Sequence, residues 1–192
     1  MLSKDELLMM LKDAGVLLEG HFILTSGRHS NQYLQMAQAL QDAKLTEKLC
    51  KNLLEHFKDT EIDLVISPAV GGILVGYEIS KQLGVKNIFC EREQEIMTLR
   101  RGFEINPGER VLVVEDVVTT GGSVKEVVKV VEESGGIVAG IGVLADRSNG
   151  RITFNCPFKA LLSLDIISYD EQECPLCKQG LPAVKPGSRS IK

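Results

Sequence analysis

VLVVEDVVTTGGSVKEVVKVVEESGGIVAGIGVLAD, residues 111–146, reads as strand, helix, strand. The run Val111 to Val114 is apolar at consecutive positions, and so is most of the stretch from Ile137 to Ala145, which is the pattern of strands buried on both faces. Between them GSVKEVVKVVEESG carries a helical pattern, opened by a Gly-Gly pair and closed by another. Two such strands joined by a helix form a βαβ unit of a parallel sheet.

The same grammar extends outward. IDLVIS (62–67), a Gly-Gly turn, ILVGYEISKQLG (73–84) and VKNIFC (85–90) give a second strand, helix and strand upstream. The expected fold is therefore α/β, a doubly wound, mainly parallel sheet with a core over about 43–160. Before it, residues 3–13 read as an amphipathic helix, GHFILTSGRHSNQYLQM as a hairpin, and AKLTEKLCKNLLEHFKD as a helix with Leu45, Leu49, Leu53, Leu54 and Phe57 on one face. A small N-terminal hood over about 1–40 and a C-terminal extension over about 165–192 complete one domain; the tail from about 170 is rich in Pro, Gly and polar residues and reads as irregular.

Bulk composition excludes several classes. A chain of 192 residues with 44% hydrophobic and 25% charged residues is an ordinary globular protein. Its net charge of −4 gives no general attraction to nucleic acid or to an anionic membrane surface, so phosphate binding must be local. No apolar run is long enough for a membrane span, and the N-terminal helix lacks the pattern of a signal peptide, so a cytoplasmic protein is expected. Five cysteines are an odd, scattered set that reads as reduced thiols. Cys174 and Cys177 form C-x-x-C, but no second such pair exists, and a zinc there would have to be shared across a dimer or completed by Cys156. Among the histidines, His29 lies in the hairpin turn within reach of a ligand, while no role follows for His21 or His56.

In a doubly wound sheet, ligands bind beyond the carboxyl ends of the strands. The residues there are SPAVGG (67–72), ERE (91–93), EDVVTTGGS (115–123) and DRSNG (146–150). Gly121 and Gly122 ahead of a helix let backbone amides point at an oxyanion, and the helix dipole adds to the attraction. Carboxylates repel phosphate, so Glu115 and Asp116 require hydroxyl donors or a divalent cation. A sugar phosphate satisfies both halves. The loop is neither a Walker loop, since Ser123 and Val124 stand where Lys is required, nor a dinucleotide fingerprint, since it lacks the G-x-G-x-x-G spacing.

VLVVEDVVTTGGS resembles the phosphoribosyl diphosphate (PRPP) signature of the type I phosphoribosyltransferases. HFILTSGRHSNQYLQ, SPAVGGILVGYE, MTLRRGFEINPGERVLVVEDVVTTGGS and the C-terminal CPLC…KPGSR are more specifically similar to the orotate phosphoribosyltransferase family of the shorter bacterial type. The resemblance spans nearly the whole chain. It implies transfer of a ribosyl phosphate from PRPP to orotate with Mg²⁺ in pyrimidine (UMP) biosynthesis, by a homodimer whose lid reaches across the interface.

Carried onto this sequence, the resemblance gives Glu115 and Asp116 the ribose hydroxyls and Mg²⁺, directly or through water. Val117, Val118, Thr119, Thr120, Gly121, Gly122 and Ser123 wrap the 5′-phosphate, and Gly71 and Gly72 lie in the diphosphate turn. Thr119, Arg147, Tyr33, Leu34 and Arg28 face orotate. Asp116 is catalytic together with cations of the lid, residues 91–103. That lid departs from the family pattern: Arg92 is followed by Glu93, no Lys or His follows, and Arg100 and Arg101 are its other cations. Thr25 and Gly71 or Gly72 also stand where the family often has lysines. The missing cation is assigned first to Arg92, then to Arg100 and Arg101. Two alternatives share the PRPP signature: a phosphoribosyltransferase for a purine or other base, and a PRPP-sensing regulator without turnover. The low pI and the absence of a basic stripe weigh against a nucleic-acid-binding regulator.

Overall fold

A computed structural model describes residues 2–24 and 26–186. The elements in chain order are α1 (Lys4–Asp13), β1 (Leu17–Ile23), β2 (His29–Leu34), α2 (Ala37–Leu40), α3 (Ala43–Leu54), β3 (Leu64–Pro68), α4 (Gly71–Leu83), β4 (Lys86–Glu93), β5 (Ile96–Leu99), β6 (Arg110–Val118), α5 (Gly122–Glu133), β7 (Ile137–Asp146), β8 (Phe158–Ser163) and α6 (Pro175–Lys178). They fall into two compact units. The first consists of Leu40–Leu164 together with the start of the chain, and the second of Ser3–Ala39 with the described residues from Asp165 onward.

The first unit is a six-stranded sheet in the order β5-β4-β3-β6-β7-β8. All pairs are parallel except β4 with β5. Alternate residues serve opposite faces. Val111 and Val113 of β6 join Ile141 and Val143 of β7 and Val124, Val127 and Val131 of α5 in one buried cluster. On the other face Gly142 of β7 lies under Leu53 of α3 and Phe57, close enough that a Cβ there would meet the Phe57 ring at 3.1 Å. With both faces covered, β3 and β6 can be apolar at nearly every position, and each fully buried side chain contributes about 1.5–3 kcal/mol.

The strand order sets where a ligand can bind. From β3 the chain passes through α4 to β4 on one side; from β6 it passes through α5 to β7 on the other. The direction of winding therefore reverses between β3 and β6, and a crevice opens outside their carboxyl ends. The Ser-Pro-Ala-Val-Gly-Gly turn and the Glu-Asp stretch are the segments that leave those two strands.

Two elements of this unit differ from the sequence expectation. The lid segment, read as a polar connection between core strands, contains β5, which pairs antiparallel on the sheet edge with Arg92 opposite Met97 and Glu93 opposite Ile96. Gln94 and Glu95, both at positive φ (49° and 68°), make its tight turn. The sixth strand, β8, lies in a segment where no strand was expected.

The second unit is built from both ends of the chain. α1 opens with a capping box in which Ser3 and Glu6 each satisfy the other's backbone amide. β1 and β2 form the antiparallel hairpin, with Leu18 opposite Tyr33 and a bulge between Glu19 and Phe22. The C-terminal segment docks on this hairpin. The Val184 amide donates to the His21 carbonyl (2.8 Å), the Ile23 amide to the Val184 carbonyl (2.9 Å), and His29 and Tyr169 exchange two bonds of 2.8 Å. The tail is therefore less irregular than its composition suggests.

Candidate active site

The acids lie at the end of β6, Glu115 buried and Asp116 half-buried. The turn after β3 comes up against them. A Cβ on Gly71 would lie 2.6 Å from Asp116 Oδ2, and one on Gly72 would lie 3.1 Å from Glu115 Oε1 and 3.0 Å from the Ser67 Cβ. Glycine at both positions is thus the condition for the backbone of α4 to begin beside the acid pair.

Two helix N-termini open here without side-chain caps. Val70, which precedes α4, and Gly121, which precedes α5, make no side-chain capping bond. Gly121 takes φ 75°, and a Cβ there would press on the Ile152 side chain at 3.0 Å. Uncapped amides at the start of helices of 13 and 12 residues are binding positions for anions. One is followed by Gly71 and Gly72, the other by Gly122 and Ser123, and the carboxylates lie beside the first. Val117 is half-buried and Val118 buried, whereas Thr119 and Thr120 are exposed.

The turn after β7 is tied to the same strand end. The Arg147 amide donates to the Val118 carbonyl at 2.8 Å, and the Ser148 amide donates to Asp146 Oδ1 at 2.7 Å. Arg147 is half-buried, next in sequence to the buried Asp146.

The lid arginines are all engaged. Arg92 pairs with Glu126 of α5 at 2.6 Å and donates to the Glu95 carbonyl at 2.8 Å. Arg100 pairs with Glu93 at 3.5 Å. Arg101 forms a bidentate pair with Glu91 at 2.7 and 2.8 Å, and its guanidinium lies 5.5 Å from the Phe89 ring centroid. The bonded Arg101 guanidinium holds the Glu91 carboxyl below the usual carboxylate range. Each of these arginines is thus paired with a carboxylate of its own chain.

The second unit carries the remaining residues. Arg28 donates to Ser168 Oγ (2.9 Å), the Ser168 carbonyl (2.8 Å) and Asp170 (2.7 Å), so its guanidinium clamps the C-terminal segment. Tyr33 is half-buried with its ring 5.7 Å from that of Phe22, and Leu34 is buried. Thr25, and the last part of the KPGSR motif, lie outside the described residues.

Sequence reasoning missed His21 and His29. Both are buried, and their rings converge on Cys174 and Cys177. That cluster needs neither Cys156 nor a second chain to reach four donors.

A mainly parallel sheet with an acid pair and two uncapped helix starts at its switch point is the architecture of the phosphoribosyltransferase class, and residues 32–172 match the phosphoribosyl transferase domain family. The chain is 55% identical over 190 residues to an orotate phosphoribosyltransferase of Pelotomaculum thermopropionicum, covering 99% of this chain and 100% of that protein. It also resembles the crystal structure of orotate phosphoribosyltransferase from Aeropyrum pernix, with a TM-score of 0.72, 28% identity, and 82% of this chain and 93% of that one covered. An adenine phosphoribosyltransferase from Rhodothermus marinus shares the fold alone, with a TM-score of 0.68 at 21% identity over 83% of this chain and 99% of that one. The chain belongs to the orotate phosphoribosyltransferase family.

Proposed function

We propose that this protein transfers the 5-phosphoribosyl group of PRPP to orotate, releasing diphosphate and forming orotidine 5′-monophosphate in pyrimidine biosynthesis. The observation that carries the PRPP part of this reading is the acid pair Glu115-Asp116 set directly against Gly71 and Gly72, beside the uncapped start of α4; the choice of orotate is supported by the 55% identity to an orotate phosphoribosyltransferase over 190 residues. PRPP presents two phosphate ends and a hydroxyl-bearing ribose. The start of α5 takes the 5′-phosphate, the start of α4 takes the diphosphate, and the carboxylates accept hydrogen bonds from the ribose hydroxyls between them.

The donor set also fits Mg²⁺. Glu115 and Asp116 supply hard carboxylate oxygens next to the turn that receives the diphosphate, and Asp116 is the more accessible of the two. Magnesium, when bound, neutralises charge on the leaving diphosphate. The chain's own part is positioning. The bond from ribose to diphosphate breaks as the orotate nitrogen attacks, through a ribosyl centre with oxocarbenium character, so no side-chain nucleophile is required. Arg92, and after it Arg100 and Arg101, supply positive charge for the departing oxygens once the lid closes and excludes water.

Arg147, Thr119, Tyr33, Leu34 and Arg28 are proposed to face orotate. A guanidinium suits a carboxylated pyrimidine, since it pairs in a planar, bidentate manner with a carboxylate or carbonyl. A homodimer is supported by Leu74 and Tyr77 of α4 and Val70 just before it, which follow one another at helical spacing and are 50%, 61% and 81% exposed, a stripe that a second copy would cover. Among the described residues no helix is long and apolar enough to cross a membrane.

The test is a competition. Orotate, adenine and hypoxanthine are offered together with PRPP and Mg²⁺, and the nucleotides are separated. Orotidine 5′-monophosphate alone is expected. Consumption of a purine in place of orotate would assign the protein to another base, and PRPP binding with no diphosphate formed from any base would make it a sensor.

A further inference from the structure

Four side chains in the second unit bring one donor atom each to a single point. His21 comes from β1, His29 from β2, and Cys174 and Cys177 from the start of α6, and the four donor atoms all lie within 4.8 Å of one another. Cys177 Sγ is 3.3 Å from His29 Nδ1 and 3.7 Å from His21 Nε2, and Cys174 Sγ is 3.6 Å from His21 Nε2. A tetrahedron with Zn–N bonds of about 2.0–2.1 Å and Zn–S bonds of about 2.3 Å has edges of roughly 3.3–3.8 Å. These three sulfur–nitrogen separations fall on those edges; the two nitrogens, at 2.7 Å, need to part by about 0.6 Å.

The surroundings are those of a ligand set. His21 Nδ1 lies 2.8 Å from the Leu181 carbonyl, which can only accept, so the ring carries its proton on Nδ1 and turns the Nε2 lone pair toward the cluster. An imidazole held in this way by a backbone carbonyl is the usual support of a metal-bound histidine. His21, His29 and Cys174 are buried, so the cluster is not an exposed group of polar side chains that meet by chance.

We propose that each chain binds one Zn²⁺ through His21 Nε2, His29 Nδ1, Cys174 Sγ and Cys177 Sγ. Two nitrogens and two sulfurs in tetrahedral array favour zinc over magnesium or calcium, which take oxygen ligands. Four protein ligands close the coordination sphere and leave no position for substrate, so the ion is structural. It ties the C-terminal segment to the hairpin at the seam where Val184 and Tyr169 already pair with β1 and β2. A small unit assembled from the two ends of a chain gains from such a staple, because its own apolar core is limited. None of the four ligands belongs to the acid pair or to the residues proposed to bind PRPP and orotate.

The test is elemental analysis of the full-length, untagged protein, purified under reductant without chelator. About one zinc per chain is expected. Cys177→Ser and His21→Gln should each lose it, whereas Asp116→Asn should keep it. After chelation, Co²⁺ should restore a thiolate charge-transfer band and the visible bands of tetrahedral cobalt, and Zn²⁺ should return the melting temperature lowered by the chelator. The cobalt spectrum of the wild-type chain decides the matter even where a variant does not fold. Protein that holds less than one zinc per two chains and gives no tetrahedral cobalt spectrum would overturn the proposal. So would zinc that is lost in Asp116→Asn and kept in Cys177→Ser.

Discussion

The Asp116 carboxylate leaves no room for a side chain at residue 71: a Cβ there would lie 2.6 Å from Oδ2 and 2.8 Å from Oδ1. Gly71→Ala must therefore displace either the start of α4 or the carboxylate. An ångström of misplacement at a reacting centre costs about a hundredfold, so a loss of tenfold to a hundredfold in kcat/KM is expected, with little change in melting temperature. Steady-state kinetics beside a thermal melt check this, and a fully active Gly71→Ala would show that the contact has no bearing on the site.

The lid is expected to act through Arg92. Arg92 is held by Glu126 at 2.6 Å, and its proposed work lies in a neighbouring subunit's site. Arg92→Ala should lower kcat by about 10²–10³, the usual cost of removing one preorganised charge partner, and by more than Arg100→Ala or Arg101→Ala. If the arginine acts across the dimer, mixing Arg92→Ala with Asp116→Asn subunits should rebuild one intact site per hybrid, returning about a quarter of wild-type activity at random assortment. A mixture no more active than its components would place the arginine in its own subunit's site or outside catalysis.

Acid should release Arg101 from Glu91 only below the ordinary carboxylate range. Bonding to Arg101 lowers the Glu91 carboxyl from its ordinary value. The contribution of the pair is thus present above the unfolded carboxylate pKa of about 4.3 and is lost as pH falls through the folded value. An NMR titration should place the Glu91 midpoint below the ordinary carboxylate range, and Arg101→Ala should restore it. An unshifted midpoint in the wild-type chain would mean that the pair is not populated in solution.

Much of the first unit is legible in its sequence because a strand buried on both faces declares itself. Val111 to Val114 and the helix Gly122–Glu133 could hardly be read otherwise. The acids and glycines were legible as well, since carboxylates beside an amide-rich loop are chemically incompatible with a bare phosphate. β5 and β8 were not. Ile96–Leu99 is four residues long inside a charged segment, and Phe158–Ser163 shows mixed burial at the sheet edge, where the apolar pattern is weakest. The convergence of His21 and His29 on Cys174 and Cys177 was also hidden, because it arises from hairpin register and from the return of a segment more than a hundred residues away. No local spacing encodes either.

Thiol labelling should sort the remaining cysteines by burial. Burial pushes the Cys50 thiol up to about 12 and the Cys90 thiol to about 11, whereas Cys156 is only half-buried. At pH 8 the native chain should be labelled at Cys156 first, with Cys50 and Cys90 reacting only on unfolding. Early labelling of Cys50 would mean that α3 opens locally near Val75, whose carbonyl the thiol approaches at 4.0 Å.

The acid pair is the centre of the account, and Asp116→Asn tests it most directly. The substitution keeps size and removes charge, so the fold should persist by circular dichroism and thermal melt. The assay follows orotate absorbance and diphosphate release with PRPP and Mg²⁺ present. Wild-type protein should form diphosphate and orotidine 5′-monophosphate in equal amounts, and Asp116→Asn should turn over at least about a hundredfold more slowly. Unchanged turnover in a folded Asp116→Asn would contradict the role given to the carboxylates.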